Sequence, residues 1–487
     1  MGRATSTVRI SAVVPLYDVE RYLPELLQSL SAQEPGDYEI EYVFVDDGSP
    51  DGSAGLARQW LEDSGASGRV IRQMNAGVSA ARNRGLAAAT GDWVTFPDSD
   101  DVLDASYFRN AARFIQRDGD RVSLVAARLL RLYDADGTVQ DVHALQFRFA
   151  VGNRLVSMRT HPDFFQMNAA SSFFRRRQLV ELGVQFPLGL HASEDAVFVA
   201  DFLLRAGGEP VLGIAADAIY LYRRRATADS AVDRSRQDPV GAIGRFHDGY
   251  LPILARAEAD GGVPDWLQSM FLYECQWQLR AHVAADAAAP PLSDADGALI
   301  LQALADCAKH VREDMLFGYD ATALSLEARL LLQLLAGRPL PAWVGAYRDR
   351  NESVDVPIAA GSEVVVVGAD GRPLDIAGEL IAPDHFGQTV LQRWRAAVPR
   401  DARVLVDGVP RQDVPRRWED RPAQQWDRHR RVTVGWTRGT IPAREEEVRV
   451  WKPVPGPFGT PWRRVRWRVQ LWRRRLTRAA AKVVRRS

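Results

Sequence analysis

The chain has 487 residues, and its 62 basic and 62 acidic side chains give a formal net charge of zero. This length predicts roughly two to four domains, and a hydrophobic content of 46% is ordinary for a soluble protein. No apolar run approaches the roughly 18 residues that a membrane span needs, and residues 1–8 lack the apolar core of a signal peptide. With only 2 cysteines, the sequence gives no sign of a disulfide framework and fits a reducing cytoplasm.

Two short apolar runs near the N-terminus predict buried parallel strands. Residues 10–14 and 42–45 are rich in β-branched and aromatic side chains and are bounded by turn residues. Between them, leucines recur at helical spacing: Leu23, Leu26, Leu27 and Leu30. Strand, helix and strand form a βαβ unit, and sheets of this kind bind ligands beyond the carboxyl ends of their strands.

Candidate ligand-binding residues follow both predicted strands directly. Pro15 and Tyr17 come at the end of the first strand, and Asp46 and Asp47 come at the end of the second. The alternative is that residues 46–49 form only a turn followed by a helix cap. Because caps and ligand-binding loops use the same residue types, both interpretations stay open at this point.

An acidic turn follows a further predicted strand at residues 93–96. Asp98, Asp100 and Asp101 lie within four residues, so their carboxylates repel one another unless a cation lies between them. Mg²⁺ and Mn²⁺ favour clustered carboxylate oxygens and also accept oxygens from a diphosphate. The alternative is a solvated acidic turn that caps the next helix near residues 104–106.

The segment 75–85 combines two candidate hydrogen-bond donors with small residues. Asn75 and Arg82 are the donors, and Gly77 and Gly85 allow a backbone or a ligand to approach closely. Arg82 is otherwise explained as an ordinary surface arginine.

Two adjacent acids, Glu194 and Asp195, lie at the predicted start of a helix. Acidic residues in a first helical turn are favoured by the helix macrodipole, and Ser193 is the predicted N-cap. That explanation accounts for acidic residues at this position. A second interpretation is that one of the carboxylates removes the proton from an attacking hydroxyl.

Taken together, residues 8–225 resemble the family 2 glycosyltransferases with the GT-A fold. The motifs that carry the resemblance stand in the family's order and spacing: 13–18 (VVPLYD), 43–49 (VFVDDGS), 75–83 (NAGVSAARN), 98–101 (DSDD) and 194–195 (ED). The resemblance implies an α/β, Rossmann-like GT-A catalytic domain. It also implies transfer of a hexosyl or N-acetylhexosaminyl group from a nucleotide-sugar donor, most often a UDP-sugar, with inversion at the sugar carbon.

The resemblance also implies a division of roles among the acids. Asp98 and Asp100 would organise Mn²⁺ or Mg²⁺, and Asp195 would be the general base. Glu194 would orient Asp195 or contact the acceptor. The implied nucleotide site has Tyr17 against the base and a basic loop on the diphosphate, without settling which arginine of 223–225 makes that contact. Its full set is Pro15, Tyr17, Asp46, Asp47, Asn75, Arg82, Asp98, Arg223 and Arg225.

The sequence changes character after the catalytic region. We predict a catalytic domain at 1–235, a helical region at 236–348, a β-rich domain at 349–455 and a basic tail at 456–487. The β-rich domain resembles a small β-sandwich. Its predicted strands are separated by turn dipeptides and lie at 363–367, 403–406, 431–434 and 447–450. Domains of this kind bind a polymer or mediate homo-oligomerisation, and the sequence does not separate the two roles.

The tail predicts a basic amphipathic helix. Arginine and lysine fill most of its positions around an apolar stripe: Trp462, Val465, Val469, Trp472, Leu476, Ala479 and Val483. Such a helix suits the surface of an anionic membrane. The alternatives are a nucleic-acid patch, an anionic-polymer site or a docking helix for a partner, and of these we do not expect nucleic acid.

The sequence therefore predicts a cytoplasmic enzyme held peripherally at the inner face of the cell membrane. Its acceptor would be a cell-envelope glycan, a teichoic-acid-like polyol-phosphate polymer or a lipid-linked acceptor. The alternative is a non-catalytic scaffold that binds nucleotide-sugar or polymer. The presence of both the 98–101 and the 194–195 motifs argues against a scaffold, because binding alone needs no base.

Overall fold

The fold is available as a computed structural model. It describes residues 7–150, 152–225, 238–283, 293–348, 353–383 and 385–414. In chain order these ranges form a mixed α/β region, a helical region and a β-rich region. The predicted tail at 456–487 and the strands predicted at 431–434 and 447–450 lie outside the described residues.

A single ten-stranded sheet organises the described part of the N-terminal region. Its strands are β1 (Val8–Leu16), β2 (Tyr38–Asp46), β3 (Gly68–Arg72), β4 (Trp93–Thr95), β5 (Val102–Leu103), β6 (Leu124–Tyr133), β7 (Val139–Gln140), β8 (Arg154–Ser157), β9 (Ser172–Arg175) and β10 (Val211–Arg224). The order is β3-β2-β1-β4-β9-β6-β10-β5, with β7 beside β6 and β8 beside β10. Strands β3, β2, β1 and β4 are parallel, while β9 runs antiparallel to β4 and β6. The predicted α/β fold with a parallel sheet is confirmed.

The helices of this region lie between the strands in the sequence and pack against the sheet. They are α1 (Leu23–Ser31), α2 (Ser53–Ser64), α3 (Val78–Ala88), α4 (Tyr107–Asp118), α5 (Arg176–Glu181) and α6 (Glu194–Ala206), with 3-10 turns at Gly119–Arg121 and Gln146–Phe149. The four leucines predicted to share one face of α1 are all buried. Helix α3 lies very close to the sheet, since a Cβ atom on Gly85 would come within 2.2 Å of Val13 Cγ1. Position 85 therefore requires a glycine, and it lies on the same helix as Arg82.

The helical region continues the core of the sheet. It contains α7 (Pro239–Gly244), a π-helix (Arg245–Tyr250), α8 (Leu251–Ala259), α9 (Asp265–Val283), α10 (Asp294–Ala308), α11 (Glu313–Gly318) and α12 (Leu326–Leu335). One hydrophobic cluster includes Val13 from β1, Phe198 from α6, Leu254 from α8 and Phe271 from α9. The helical pattern predicted from the sequence is confirmed, and the sheet and these helices share one core.

Within the described ranges, no helix is long and apolar enough to cross a membrane. Cys275 and Cys307 are buried and free. Both belong to the hydrophobic cluster of the helical region, so their role here is packing.

The β-rich region is built from two sheets. Its strands are β11 (Ala346–Arg348), β12 (Ser353–Ala359), β13 (Val364–Val367), β14 (Pro373–Leu374), β15 (Glu379–Ile381), β16 (Leu391–Ala397), β17 (Arg403–Val406), β18 (Val409–Arg411) and β19 (Asp413–Val414). One sheet has the order β15-β16-β12-β11-β19 and the other β14-β13-β17-β18. Side chains of both sheets, such as Trp394 and Val404, share one hydrophobic cluster. In the described part of this region, two sheets therefore pack around a shared hydrophobic cluster, and the β-sandwich assignment of the region stays a prediction.

Candidate functional site

The carboxyl ends of β1, β2 and β4 meet at one edge of the sheet. Because these strands are parallel and adjacent, the residues that follow them are brought together. Pro15 is buried within β1, and Tyr17, which follows the strand, is half exposed at 50%. Asp46 ends β2, and Asp98 lies three residues beyond the last residue of β4. The predicted site residues therefore lie along the edge at which sheets of this kind bind ligands.

The two acids after β2 hold neighbouring loops. Asp47 accepts three hydrogen bonds from the segment leading into α3: from Gln73 Nε2 at 2.8 Å, Ala76 N at 2.9 Å and Gly77 N at 2.8 Å. Asp46 Oδ1 accepts from Ser49 N at 2.9 Å, and its Oδ2 faces Arg72 Nε at 3.2 Å. Asn75 is exposed on the segment that Asp47 holds. Asp46 and Asp47 therefore shape the neighbouring loops. Contacts of Asp46, Asp47 and Asn75 with a nucleotide stay predictions.

Arg82 connects the acidic motifs. It lies on α3 with only 3% of its surface exposed. Its guanidinium donates to three carboxylates: Asp98 Oδ1 at 2.7 Å, Asp195 Oδ1 at 2.8 Å and Glu194 Oε1 at 2.9 Å. Burial by itself would lower the pKa of Arg82, but the charges of these three acids outweigh it and raise the pKa. Arg82 is therefore a permanent buried cation at the point where the motifs meet, and its predicted contact with the nucleotide stays a prediction.

The surroundings of Asp195 suit a carboxylate that accepts a proton, and its role as general base stays a prediction. Its Oδ2 accepts from the backbone amide of Ala169 at 2.9 Å, and its side chain is 17% exposed. Burial raises the pKa of Asp195 to about 7; the charge of Arg82 opposes this increase, and those of Glu194 and Asp98 add to it. A carboxylate with a pKa near 7 accepts a proton readily at neutral pH and is still ionised in a large fraction of molecules.

Ser193 does not cap α6, contrary to the prediction. It stands at the N-cap position but has a left-handed backbone (φ 65°) and makes no side-chain capping bond. Its hydroxyl instead donates to Glu274 Oε2, on α9, at 3.2 Å. Glu194 and Asp195 do occupy the first turn of α6, where the helix macrodipole favours negative charge.

The turn after β4 holds its aspartates in two different ways. Asp100 Oδ2 accepts from Arg225 Nη2 at 2.7 Å and from Arg225 Nε at 3.0 Å. Asp101 is buried, and it accepts from Arg223 N at 2.7 Å and from the Tyr220 hydroxyl at 2.6 Å. Asp101 therefore fastens the turn to β10, whereas within the described residues the Asp100 carboxylate accepts from the Arg225 side chain alone.

Asp98 and Asp100 stay the predicted ligands of a divalent cation. Among the described residues, no hydrogen bond reaches Asp98 Oδ2 or Asp100 Oδ1, and the two side chains are 28% and 21% exposed. Burial raises the pKa of Asp98, and the charges of Asp100 and Glu194 raise it further while Arg82 opposes them. A cation would relieve this repulsion. In the described ranges, no cluster of three or more acidic, histidine or cysteine side chains could hold a metal, so further ligands would come from a bound diphosphate or from water.

The arginines at the end of β10 have different partners. Arg223 is buried, and its guanidinium contacts Asp134 and Glu25 together with the backbone carbonyl of Asp100. Arg225 lies over the ring of Tyr22 at 4.6 Å, and its Nε and Nη2 donate to Asp100 Oδ2. These contacts favour Arg225 over Arg223 for the diphosphate, and the role itself stays a prediction for both.

Sequence reasoning missed several residues that hold the site together. They are Tyr22, Glu25, Asp134, Ala169, Tyr220 and Glu274. Tyr220 lies on β10, and its hydroxyl donates to Asp101 and accepts from the backbone N–H of Asp98 at 3.0 Å. Glu274 lies 81 residues from Ser193 in a segment with an ordinary helical pattern. No local signal in the sequence indicates such a contact.

Part of the chain matches a known protein family. Residues 11–181 match the family described as Glycosyl transferase family 2. The chain is 25% identical over 319 residues to the minor teichoic acid biosynthesis protein GgaB of Bacillus subtilis. This alignment covers 65% of this chain and 34% of GgaB. It is 26% identical over 222 residues to the poly(ribitol-phosphate) beta-N-acetylglucosaminyltransferase TarS of Staphylococcus aureus, with 44% and 35% covered. The chain thus spans about a third of the length of these two relatives.

One solved structure has a similar fold. S. aureus TarS 1-349, in complex with UDP-GlcNAc, aligns with a TM-score of 0.51 and 18% identity over 72% of this chain and 97% of that chain. At this level of identity the likeness concerns the fold alone, and it supports the mixed α/β architecture with its parallel strands.

Proposed function

We propose that this chain is an inverting, metal-dependent glycosyltransferase, because its residues 11–181 match glycosyl transferase family 2. One observation carries the proposal. The buried guanidinium of Arg82 contacts Asp98, from the turn after β4, and both Glu194 and Asp195, from the start of α6. A candidate cation ligand and a candidate base are thus held by one residue, as a reaction between a donor diphosphate and an acceptor hydroxyl requires.

The reaction we propose is a single displacement. The acceptor hydroxyl attacks the anomeric carbon, its proton passes to the Asp195 carboxylate, and a new C–O bond forms. The bond from the anomeric carbon to the diphosphate oxygen breaks, and its electron pair leaves with the nucleoside diphosphate. Arg82 and the Ala169 amide orient Asp195 for this step. Glu194, held by the same guanidinium, contacts the acceptor or helps to orient the base.

Asp98 and Asp100 would hold the Mn²⁺ or Mg²⁺ ion, which when bound neutralises charge on the departing diphosphate. Arg225, already beside Asp100, would contact the same diphosphate. Tyr17 is exposed enough to stack on the base of the nucleotide.

The relatives suggest the substrates to test first. We propose a UDP-sugar donor, with UDP-GlcNAc as the first candidate, because the TarS structure of similar fold holds that molecule. We propose a hydroxyl of a polyol-phosphate polymer as the acceptor, because the named relatives act in teichoic acid biosynthesis or on poly(ribitol-phosphate). Other cell-envelope glycans and lipid-linked acceptors are the remaining candidates. Homo-oligomerisation through the β-rich region and membrane attachment through the tail stay predictions.

The test is release of UDP from a panel of UDP-sugars, with and without poly(ribitol-phosphate). Wild type is assayed with Mn²⁺ or Mg²⁺ and then with EDTA, next to Asp195→Asn. We expect the variant to lose about 10²- to 10⁴-fold in turnover, the range for general-base catalysis. Asp92→Asn is the matched control, because Asp92 pairs with Arg9 at the other end of β4 and its side chain is 55% exposed. Metal-dependent UDP binding without turnover on any acceptor would instead favour the scaffold, and absence of UDP binding would contradict the nucleotide site.

A further inference from the structure

We propose that Glu274, in the helical region, is a positioning residue that sets the geometry of Glu194 and Asp195 through its hydrogen bond to Ser193. This inference rests on the proposed function, since it concerns the acids assigned to that reaction. It gives the helical region a part in the chemistry of a site whose motifs all lie in the N-terminal region.

Ser193 has a backbone conformation that needs external support. Its φ of 65° and ψ of 15° lie in the left-handed region, which a non-glycine residue adopts at a cost of about 1 kcal/mol or more. The residue directly precedes Glu194, so its dihedral angles set the direction in which α6 begins. Its side chain makes no capping bond to α6, and local helix chemistry therefore does not account for the conformation.

Glu274 supplies that support from a different element. Its Oε2 accepts the Ser193 hydroxyl at 3.2 Å and lies 3.7 Å from Arg245 Nε. Both Glu274 and Arg245 have side chains only 9% exposed. A buried ion pair of this kind adds little net stability compared with apolar packing. Packing alone therefore does not explain a carboxylate at this position of α9, whereas holding Ser193 does.

The helix that carries Arg245 is seated directly on α6. Arg245 begins the π-helix Arg245–Tyr250, an irregularity that is common at functional sites. On the same element, a Cβ atom at Gly249 would come within 2.8 Å of Val197 Cγ2, so the two helices touch at the first turn of α6. The helical region therefore contacts the start of α6 at two points, through Gly249 and through the Arg245–Glu274 pair.

A change at Ser193 is expected to reach the base directly. Asp195 is two residues further along and depends on contacts with Arg82 at 2.8 Å and the Ala169 amide at 2.9 Å. Misplacement of a catalytic group by about 1 Å costs about 100-fold in rate. Relaxation of residue 193 into an ordinary conformation would swing the first turn of α6 and break at least one of these contacts.

The kinetic test compares two substitutions at the same position. Ser193→Ala removes the hydroxyl but keeps the cost of the left-handed backbone, whereas Ser193→Gly removes both the hydroxyl and that cost. We expect kcat to fall about 10- to 100-fold in Ser193→Ala and clearly less in Ser193→Gly, with the affinity for UDP within about twofold of wild type in both. Equal kcat values for the two variants, or a lower value for glycine, would overturn the proposal.

Glu274 is tested through its coupling to Ser193. Glu274→Leu removes the acceptor, while Glu274→Gln keeps an oxygen that can accept the hydroxyl. We expect Glu274→Leu to lower kcat as Ser193→Ala does, Glu274→Gln to lose less, and the Ser193→Ala/Glu274→Leu double variant to be no worse than either single variant. Additive losses, or a lower melting temperature at unchanged kcat, would show a merely structural role.

Crystal structures of wild type, Ser193→Ala and Ser193→Gly provide a readout that does not depend on turnover. We expect residue 193 to leave the left-handed region in the alanine variant only, with the Asp195 Oδ1 to Arg82 Nη1 separation increasing beyond 3.5 Å. An unchanged backbone and separation in Ser193→Ala would overturn the proposal. If wild type transfers no sugar, the proposed function fails, and these structures still decide whether Ser193 is held as described.

Discussion

The acidic turns after β2 and β4 look alike in the sequence but hold their carboxylates differently. After β2, Asp47 is bound mostly by backbone amides of the segment it shapes. After β4, the carboxylates of Asp98 and Asp100 accept from the side chains of Arg82 and Arg225. A backbone amide leaves a carboxylate only if the chain moves, whereas a guanidinium on a flexible stem can exchange one anionic partner for another. The first arrangement builds a loop, and the second is where we propose that a cation and a diphosphate bind.

Of the substitutions that test this comparison, we expect Asp98→Asn to have the largest effect on turnover. This substitution removes a candidate cation ligand and one charge partner of Arg82. We expect turnover at saturating donor to fall about 100-fold or more, in line with the several kcal/mol that a catalytic cation contributes. Initial rates across a Mn²⁺ titration measure the effect, and thermal unfolding checks that the fold is retained. Wild-type turnover with unchanged Mn²⁺ dependence would contradict the assignment.

Asp101→Asn should act on stability instead. The amide replaces one of the two carboxylate oxygens that accept from Tyr220 and from the Arg223 backbone, and both donors are buried. Leaving one of them unsatisfied costs about 1 to 3 kcal/mol of unfolding free energy, measurable by urea denaturation. The Mn²⁺ concentration for half-maximal turnover should stay within about twofold of wild type. A change in metal dependence larger than the change in stability would move Asp101 into the group of cation ligands.

The pH dependence of turnover tests Asp195, which Arg82 contacts at the start of α6. The pKa of Asp195 is raised to about 7, so the carboxylate needed as base is lost as the pH falls through 7. Turnover should therefore decrease about tenfold from pH 8 to pH 6. Stability changes in the opposite direction, because a carboxyl group with a raised pKa in the folded state contributes less as the pH rises from about 4 to 7. A flat rate profile from pH 6 to 8 would count against Asp195 as base.

The smallest effect is expected for Asp47→Asn. The variant retains one acceptor oxygen but loses its charge and one of its accepting sites, so about 1 kcal/mol of unfolding free energy should be lost. The KM for the donor should increase only slightly, through loosening of the 73–77 segment. Loss of UDP binding at unchanged stability would show that Asp47 contacts the nucleotide itself, as the family resemblance implies.

The sequence predicted the edge of the sheet at which the site lies, because strands and the acids after them follow local rules. Short runs of β-branched and aromatic residues identified β1 and β2, and the leucines of α1 have the spacing that the structure buries. Strand β10, Val211–Arg224, is harder to recognise from the sequence. Its register shifts between Ala215 and Ile219, and alanine and glycine obscure the pattern in its first half.

The contacts that organise the site were not predictable, because they join residues far apart in the chain. Arg82 reaches Glu194 across 112 positions, and Ser193 reaches Glu274 across 81. The N-cap rule failed at Ser193 for the same reason, since a distant carboxylate takes the hydroxyl that the rule assigns to the helix. Motifs gave the residue types, whereas only the fold shows which acids share one guanidinium.

The hydrophobic cluster that joins β1, α6, α8 and α9 also determines how this part of the protein unfolds. Elements that bury one another in a common cluster lose their structure together, so we expect a single cooperative melting transition for the sheet and these helices. A chain ending at residue 235 would leave Phe198 and its neighbours on α6 without their partners and should aggregate. Because the two acids begin α6, which belongs to this cluster, we expect activity to be lost in that same transition.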